Sequence, residues 1–149
     1  MKGCVLTGAK LQGAKLAGAD LMDADLTDAT IDVEECAKRG WLRGVIMGAA
    51  DWSGKDLRDA KLEKINLAGS NLSRANLNGA DMNGANLAGS NLEGATLRKT
   101  SLFEAVYDVQ VFAPKGWLKG AMLGAVNWQS QKLIGAQLQV AVMRQTTSL

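Results

Sequence analysis

The chain has 149 residues, 47% of them hydrophobic and 21% charged, with a formal net charge of +2 and no histidine. That length suits one domain, and the missing histidine removes the commonest general base and the commonest transition-metal ligand. No run of eighteen apolar residues predicts a membrane span, and the opening MKGCVLTGAKL has no signal-peptide core, so a soluble cytoplasmic protein is expected.

Taken in chain order, the sequence places a Leu or another large apolar residue at every fifth position. The first run of these centres is Leu6, Leu11, Leu16, Leu21, Leu26 and Ile31. A second starts at Leu42, Met47, Trp52 and Leu57 and continues every five residues to Leu102 and Tyr107. A third occupies Leu118, Leu123, Trp128, Leu133, Leu138 and Met143. Two residues before most centres stands a small residue, such as Ala60, Ser70, Ala75 or Ala80, and Asn or Asp often lies between them, as at Asn66, Asn71 and Asp81. The period matches neither the 3.6 of a helix nor the 2 of a strand.

Residues two apart on an extended segment point to the same side. Each five-residue unit therefore contributes two inward side chains and then bends, making one wall of a coil. A single unit cannot bury its Leu, whereas stacked copies can. The pattern A-(D/N)-L-x-x resembles the pentapeptide-repeat family and runs through nearly the whole chain. The resemblance implies an all-β fold, a right-handed quadrilateral β-helix with four pentapeptides to each coil. The 26 centres give roughly six to seven coils in one domain over 1–149, a rod on the order of 30 Å long.

Two breaks, at 32–41 and 108–117, each separate consecutive centres by eleven residues. IDVEECAKRGWLRGVIMGAADW (31–52) matches YDVQVFAPKGWLKGAMLGAVNW (107–128) at a constant offset of 76, so the breaks belong to a duplicated unit. The first predicts a short helical turn, with Asp32 as N-cap, Glu35 at the capping-box position and Gly40 at C′. Pro114 predicts a shorter helix in the second. Both are expected to leave the coil as excursions and to return through a Gly-Trp-Leu-Arg/Lys-Gly step, carrying Arg43 or Lys119.

The candidate residues all concern binding. Trp41 and Trp117 fall where other units place Asn or Asp, so they lean outward and are candidate interface anchors. Trp52 and Trp128 occupy centres and are expected in the core. Lys55 and Gln131 take a small-residue position, which predicts a distorted coil after each break. Cys4 is expected inward, and Cys36 lies in the first excursion with nothing to activate it. Gly48, Ala68 and Ala88 suggest a smooth, uncharged wall suited to close docking.

Asp20, Asp23, Asp25 and Asp28 form an acidic collar within a stretch, 20–35, of seven acids and no base, whereas 109–149 holds four bases and no acid. This axial polarity suits head-to-tail contact or docking to a charged partner.

The expected function is a non-catalytic protein–protein interaction or scaffold role, without cofactor or metal. Its partner is another protein, or a further copy of the chain joined through coil ends or a flat wall. Scattered bases without interleaved aromatics argue against nucleic acid, and no membrane partner is expected. The resemblance also implies an alternative, because some members of the family mimic B-form DNA and bind DNA gyrase, conferring quinolone resistance. Such a mimic needs negative charge along the rod, which +2 does not supply.

Overall fold

The structure is a computed structural model and describes residues 2–123 and 142–143. Its local unit is a four-residue turn. The small residue donates its N–H to the carbonyl of the preceding centre, as in Ala80 to Leu77 and Ala85 to Met82, both 3.0 Å. The residue two after the centre is left-handed, as a type II turn requires. Glycine meets this at Gly79 (φ 73°), but Asp59, Lys64, Arg74 and Lys99 hold φ between 55° and 60°, a strain of about 1 kcal/mol each. The Asn or Asp before each centre accepts the N–H two residues on, for example Ala68 to Asn66 and Ser73 to Asn71, both 3.1 Å.

Between turns one residue pairs, in parallel, with the residue 20 or 21 positions away, and four walls result. The first stacks Val5, Asp25, Ile46, Asn66, Asn86 and Val106. The second stacks Lys10 on Thr30 and, separately, Asp51, Asn71 and Asn91; the third stacks Asp56, Asn76 and Thr96. The fourth continues from Lys61 and Asp81 into three short strands, β1 (Ser101–Leu102), β2 (Met122–Leu123) and β3 (Val142–Met143). This is a four-sided β-helix, held by single-residue pairing over most of its length.

Leu57, Leu62, Leu67, Leu72, Leu77 and Leu87 are fully buried along the axis, with Ala60, Ala75, Ala80 and Ala85 filling the space beside them. Each Leu so buried contributes ~2 kcal/mol. Where Ser or Thr replaces Ala the hydroxyl is satisfied inside: Ser70 donates to the Gly48 carbonyl (2.9 Å) and Thr100 to that of Leu77 (2.7 Å). Trp52 is 2% exposed and belongs to this core. Cys4, in the first coil, is half-buried, as is the neighbouring centre Leu6. Trp128, Gln131, Lys132, Arg144 and the centres after Leu123, Met143 apart, lie outside the described residues.

The breaks are not excursions. Helix α1 (Val33–Arg39) takes the place of one wall segment, the third, between Ile31 on the second wall and Leu42 on the fourth. A helix offers no lateral ladder, so its own groups substitute for one. The Asp32 carboxylate accepts Gly13 N–H (2.8 Å), that of Glu34 accepts Asp56 N–H (2.9 Å), and the Ala37 carbonyl accepts Lys61 N–H (2.8 Å). Asp32 stands at the N-cap without capping through its side chain, and Glu35 pairs with Arg39 rather than closing a capping box.

Gly40 is left-handed (φ 75°) and donates to Ala37, while Trp41 N–H reaches Cys36 at 3.0 Å, a Schellman closure. Helix α2 (Val109–Phe112) is shorter and ends in the same way, with Gly116 on Ala113 and Trp117 on Phe112. It follows the first wall at Val106 and so fills the second wall. The duplicated features therefore stand on neighbouring sides, not on one.

Beyond α1 the coil is distorted as expected, but not at Lys55: the 47–50 corner closes from Ala50 N–H to the Gly48 carbonyl (2.9 Å) instead of to Met47, and no pairing joins Thr30 to Asp51. Asn76 N–H reaches the Lys55 carbonyl at 2.9 Å, and Lys55 simply turns its side chain to solvent. The extra residue of each break shows in the 21-residue step that spans it, from Asp25 to Ile46 and from Ser101 to Met122. If α1 is a wall, Glu34→Ala should destabilise the chain by ~1 kcal/mol and speed amide exchange at Asp56 while leaving Asn76 unaffected. Equal rates at Asp56 in the variant and the parent would refute that role.

Candidate interaction site

The two tryptophans that follow the helices are half-buried, each beneath a cation. The Arg39 guanidinium lies 5.4 Å from the Trp41 ring centroid, and Lys115 Nζ lies 4.5 Å from that of Trp117. Trp117 also meets Phe112 edge to face at 5.1 Å, and Phe112 stacks on Tyr107 at 5.6 Å. The aromatic row Tyr107–Phe112–Trp117 thus repeats every five residues through the break, where the first copy has Ile31, Cys36 and Trp41. Burial pushes the Tyr107 hydroxyl up to about 12, and that hydroxyl has no hydrogen-bond partner among the described residues.

The other candidates divide into residues with structural duties and residues without. Arg43 pairs with Glu63 at 2.7 Å, whereas Lys119 is exposed and makes no ion pair among the described residues. Asp20 and Asp25 are turn caps, accepting Met22 N–H (3.0 Å) and Thr27 N–H (2.9 Å). With Asp23 and Asp28 they spread over two walls and two corners, and among the described residues no three metal-ligating side chains converge. Gly48, Ala68 and Ala88 do not form a wall; they stack along a corner, in the turns that follow the first wall. At Gly48 (φ 61°) an added Cβ would stand 2.8 Å from Thr27 Cγ2, which explains that residue through packing.

One opening lies beside Trp117. A cleft of about 490 Å³ is lined by Ala95, Thr96, Leu97, Arg98, Trp117 and Lys119, among others. Sequence reasoning singled out Trp117 and Lys119 but did not join them to Leu97 and Arg98. The signal was present in the eleven-residue spacing, since a surplus residue must open the ladder somewhere.

Several ionisable groups are shifted by their local contacts. Hydrogen bonds from Thr27 hold Asp25 below the usual carboxylate range, those from Ser53 do so for Asp51, and those from Arg58, the side chain first, take Asp56 further down. Burial, then Asp32 and Glu35, raise the Cys36 thiol, so this cysteine is not an activated nucleophile. No helix among the described residues is long and apolar enough to cross a membrane.

A four-walled β-helix with capped turns and two wall-replacing helices defines a solenoid of five-residue units. The pentapeptide-repeat family pattern matches in eight copies, over residues 1–32, 42–74 and 65–102. The chain belongs to that family. The match skips residues 33–41, the helix α1 with its Gly-Trp closure.

Among solved structures the chain is similar to a pentapeptide repeat protein of the Arabidopsis thaliana thylakoid lumen. Identity is 17%, with 70% of this chain and 66% of that one covered and a TM-score of 0.28. It is also similar to HetL, a pentapeptide repeat protein involved in heterocyst differentiation regulation in the cyanobacterium Nostoc sp. strain PCC 7120. There the identity is 28%, the coverage 95% and 60%, and the TM-score 0.28. QnrB1, a plasmid-mediated fluoroquinolone resistance protein, is similar at 16% identity, with 89% and 82% covered and a TM-score of 0.36. The chain thus spans about two thirds or less of the first two. No curated protein matches the sequence.

The lowered carboxylates set an expectation for acid stability. A depressed folded pKa adds stability above the unfolded value near 4 and loses it as pH falls towards the folded one. The triple variant Asp25→Asn, Asp51→Asn, Asp56→Asn should therefore lose less stability than the parent between about pH 4 and pH 2. Urea midpoints across that range measure it; parallel curves would mean that these caps do not couple to folding.

Proposed function

We propose that the chain is a non-catalytic interaction or scaffold protein that serves as a subunit of a larger assembly. What carries the reading is the cleft beside Trp117. Elsewhere the candidate groups are largely occupied by the fold: Asp20, Asp25, Asp51 and Asp56 cap turns, Arg43 is paired, Cys36 is buried, and Asp32 and Glu34 complete the ladder around α1. At Trp117 a half-exposed aromatic ring and cations that make no ion pair among the described residues surround an opening. Aromatic and arginine anchors of this kind dominate binding energy at protein interfaces.

The DNA-mimic alternative lacks the same support. A surrogate for phosphates needs continuous negative charge, and here Arg43, Arg58, Arg74, Arg98 and Lys99 occupy the turns.

Purification of the tagged full chain from its native source, with quantitative mass spectrometry, tests the reading. A protein partner near one-to-one stoichiometry is expected. Recovery of the chain alone would overturn the adaptor role, and recovery of gyrase subunits would replace it with the DNA-mimic one.

A further inference from the structure

The inference rests on the interaction reading and gives it a site and a partner chemistry. On the third wall the ladder is regular as far as Thr96, whose N–H donates to the Ala75 carbonyl at 3.0 Å. The next step should pair Leu97 and Ala95 with Trp117. Instead Trp117 N–H turns to the Phe112 carbonyl at 3.1 Å, and no backbone bond joins Leu97 to Trp117. Contact resumes just beyond, where Lys99 N–H meets the Gly120 carbonyl at 2.8 Å. Gly120 passes so close there that a Cβ would stand 3.3 Å from Arg98 Cα. The gap is thus pinned open, with a free backbone edge along one lip and an aromatic ring along the other.

Charge narrows what could enter. Arg98 and Lys119 line the cleft, Lys115 stands over the Trp117 ring, and no acid is among the lining residues. At the corresponding corner of the first copy, Asp20, Met22 and Asp23 stand where Thr96, Arg98 and Lys99 stand in the second. Arg43, the counterpart of Lys119, is neutralised there by Glu63. The duplication has therefore reversed the charge of this corner and left Lys119 without an ion pair among the described residues.

We propose that the cleft beside Trp117 binds an extended acidic peptide segment of a partner protein. The segment adds its backbone to the free edge at Leu97, as strand-addition ligands do. Its carboxylates pair with Arg98, Lys119 and Lys115, and one apolar side chain rests on Leu97 against the indole. A backbone edge recognises another backbone, which favours a peptide over a nucleic acid. The cleft volume lies within the range of ordinary ligand sites.

The test is selection of a random peptide library displayed on phage against the intact chain, followed by anisotropy titration of the enriched sequence at low and high salt. Enrichment of acidic peptides carrying one large apolar residue is expected, with affinity falling as salt rises. Arg98→Glu and Lys119→Glu should each weaken binding by about tenfold, whereas Lys10→Glu on the second wall should not. Should either reversal misfold, Lys119→Gln at its exposed position still reports the charge dependence. Enrichment without acidic bias, or affinity indifferent to these substitutions, overturns the proposal. No enrichment alongside a stoichiometric partner from the native source removes this site and leaves the interaction reading standing; the absence of both removes both.

Discussion

The structure depends on one short hydrogen bond made at nearly every corner, from the small residue's N–H back to the centre's carbonyl three residues earlier. It closes each turn, so it fixes a bend every five residues and leaves only one residue per side free to pair with the coils above and below. A β-helix pinned in this way has little sheet in the ordinary sense. Its cohesion comes from the axial column of Leu side chains and from Asn and Asp carbonyl groups that finish each turn. Any change in the count of residues between corners must be absorbed somewhere, because the corners themselves do not stretch.

Both breaks show how the surplus is absorbed. The chain coils one side into a helix and closes it with a left-handed glycine, so that tryptophan begins the next side. The helix then needs lateral partners, and the acids of α1 supply them. Asp32 and Glu34 take the role that main-chain carbonyls hold elsewhere, which ties the helix to the coil before it and the coil after it. The residue still left over opens the wall next to the second helix, so the same surplus that demands a helix also produces the cleft.

How much of this was legible in the sequence follows from which interactions are local. The Leu period and the small residue two before it report burial directly and gave a stacked coil; its four sides were implied only by the resemblance to the pentapeptide-repeat family. The Gly40 closure was legible because a left-handed C′ position is a local demand. Asp32 and Glu35 misled for the opposite reason. They carry the local signature of a helix start, but their bonds were decided by residues about twenty positions away or by Arg39. The corner placement of Gly48, Ala68 and Ala88 and the solvent-facing side chain of Lys55 were likewise hidden, since each depends on how neighbouring coils stack. The cleft was half legible: its tryptophan and one lysine stood out, while Leu97 and Arg98 look like any other unit of the repeat.

The two helices lie a quarter-turn short of four coils apart. The spacing behaves like a vernier, in which each copy of the larger unit falls back by one side. A longer array made of the same unit would show its helices successively on all four sides, and the fifth would return to the side of the first. Duplication alone would then furnish docking edges pointing in four directions, with no change in the cross-section of the rod.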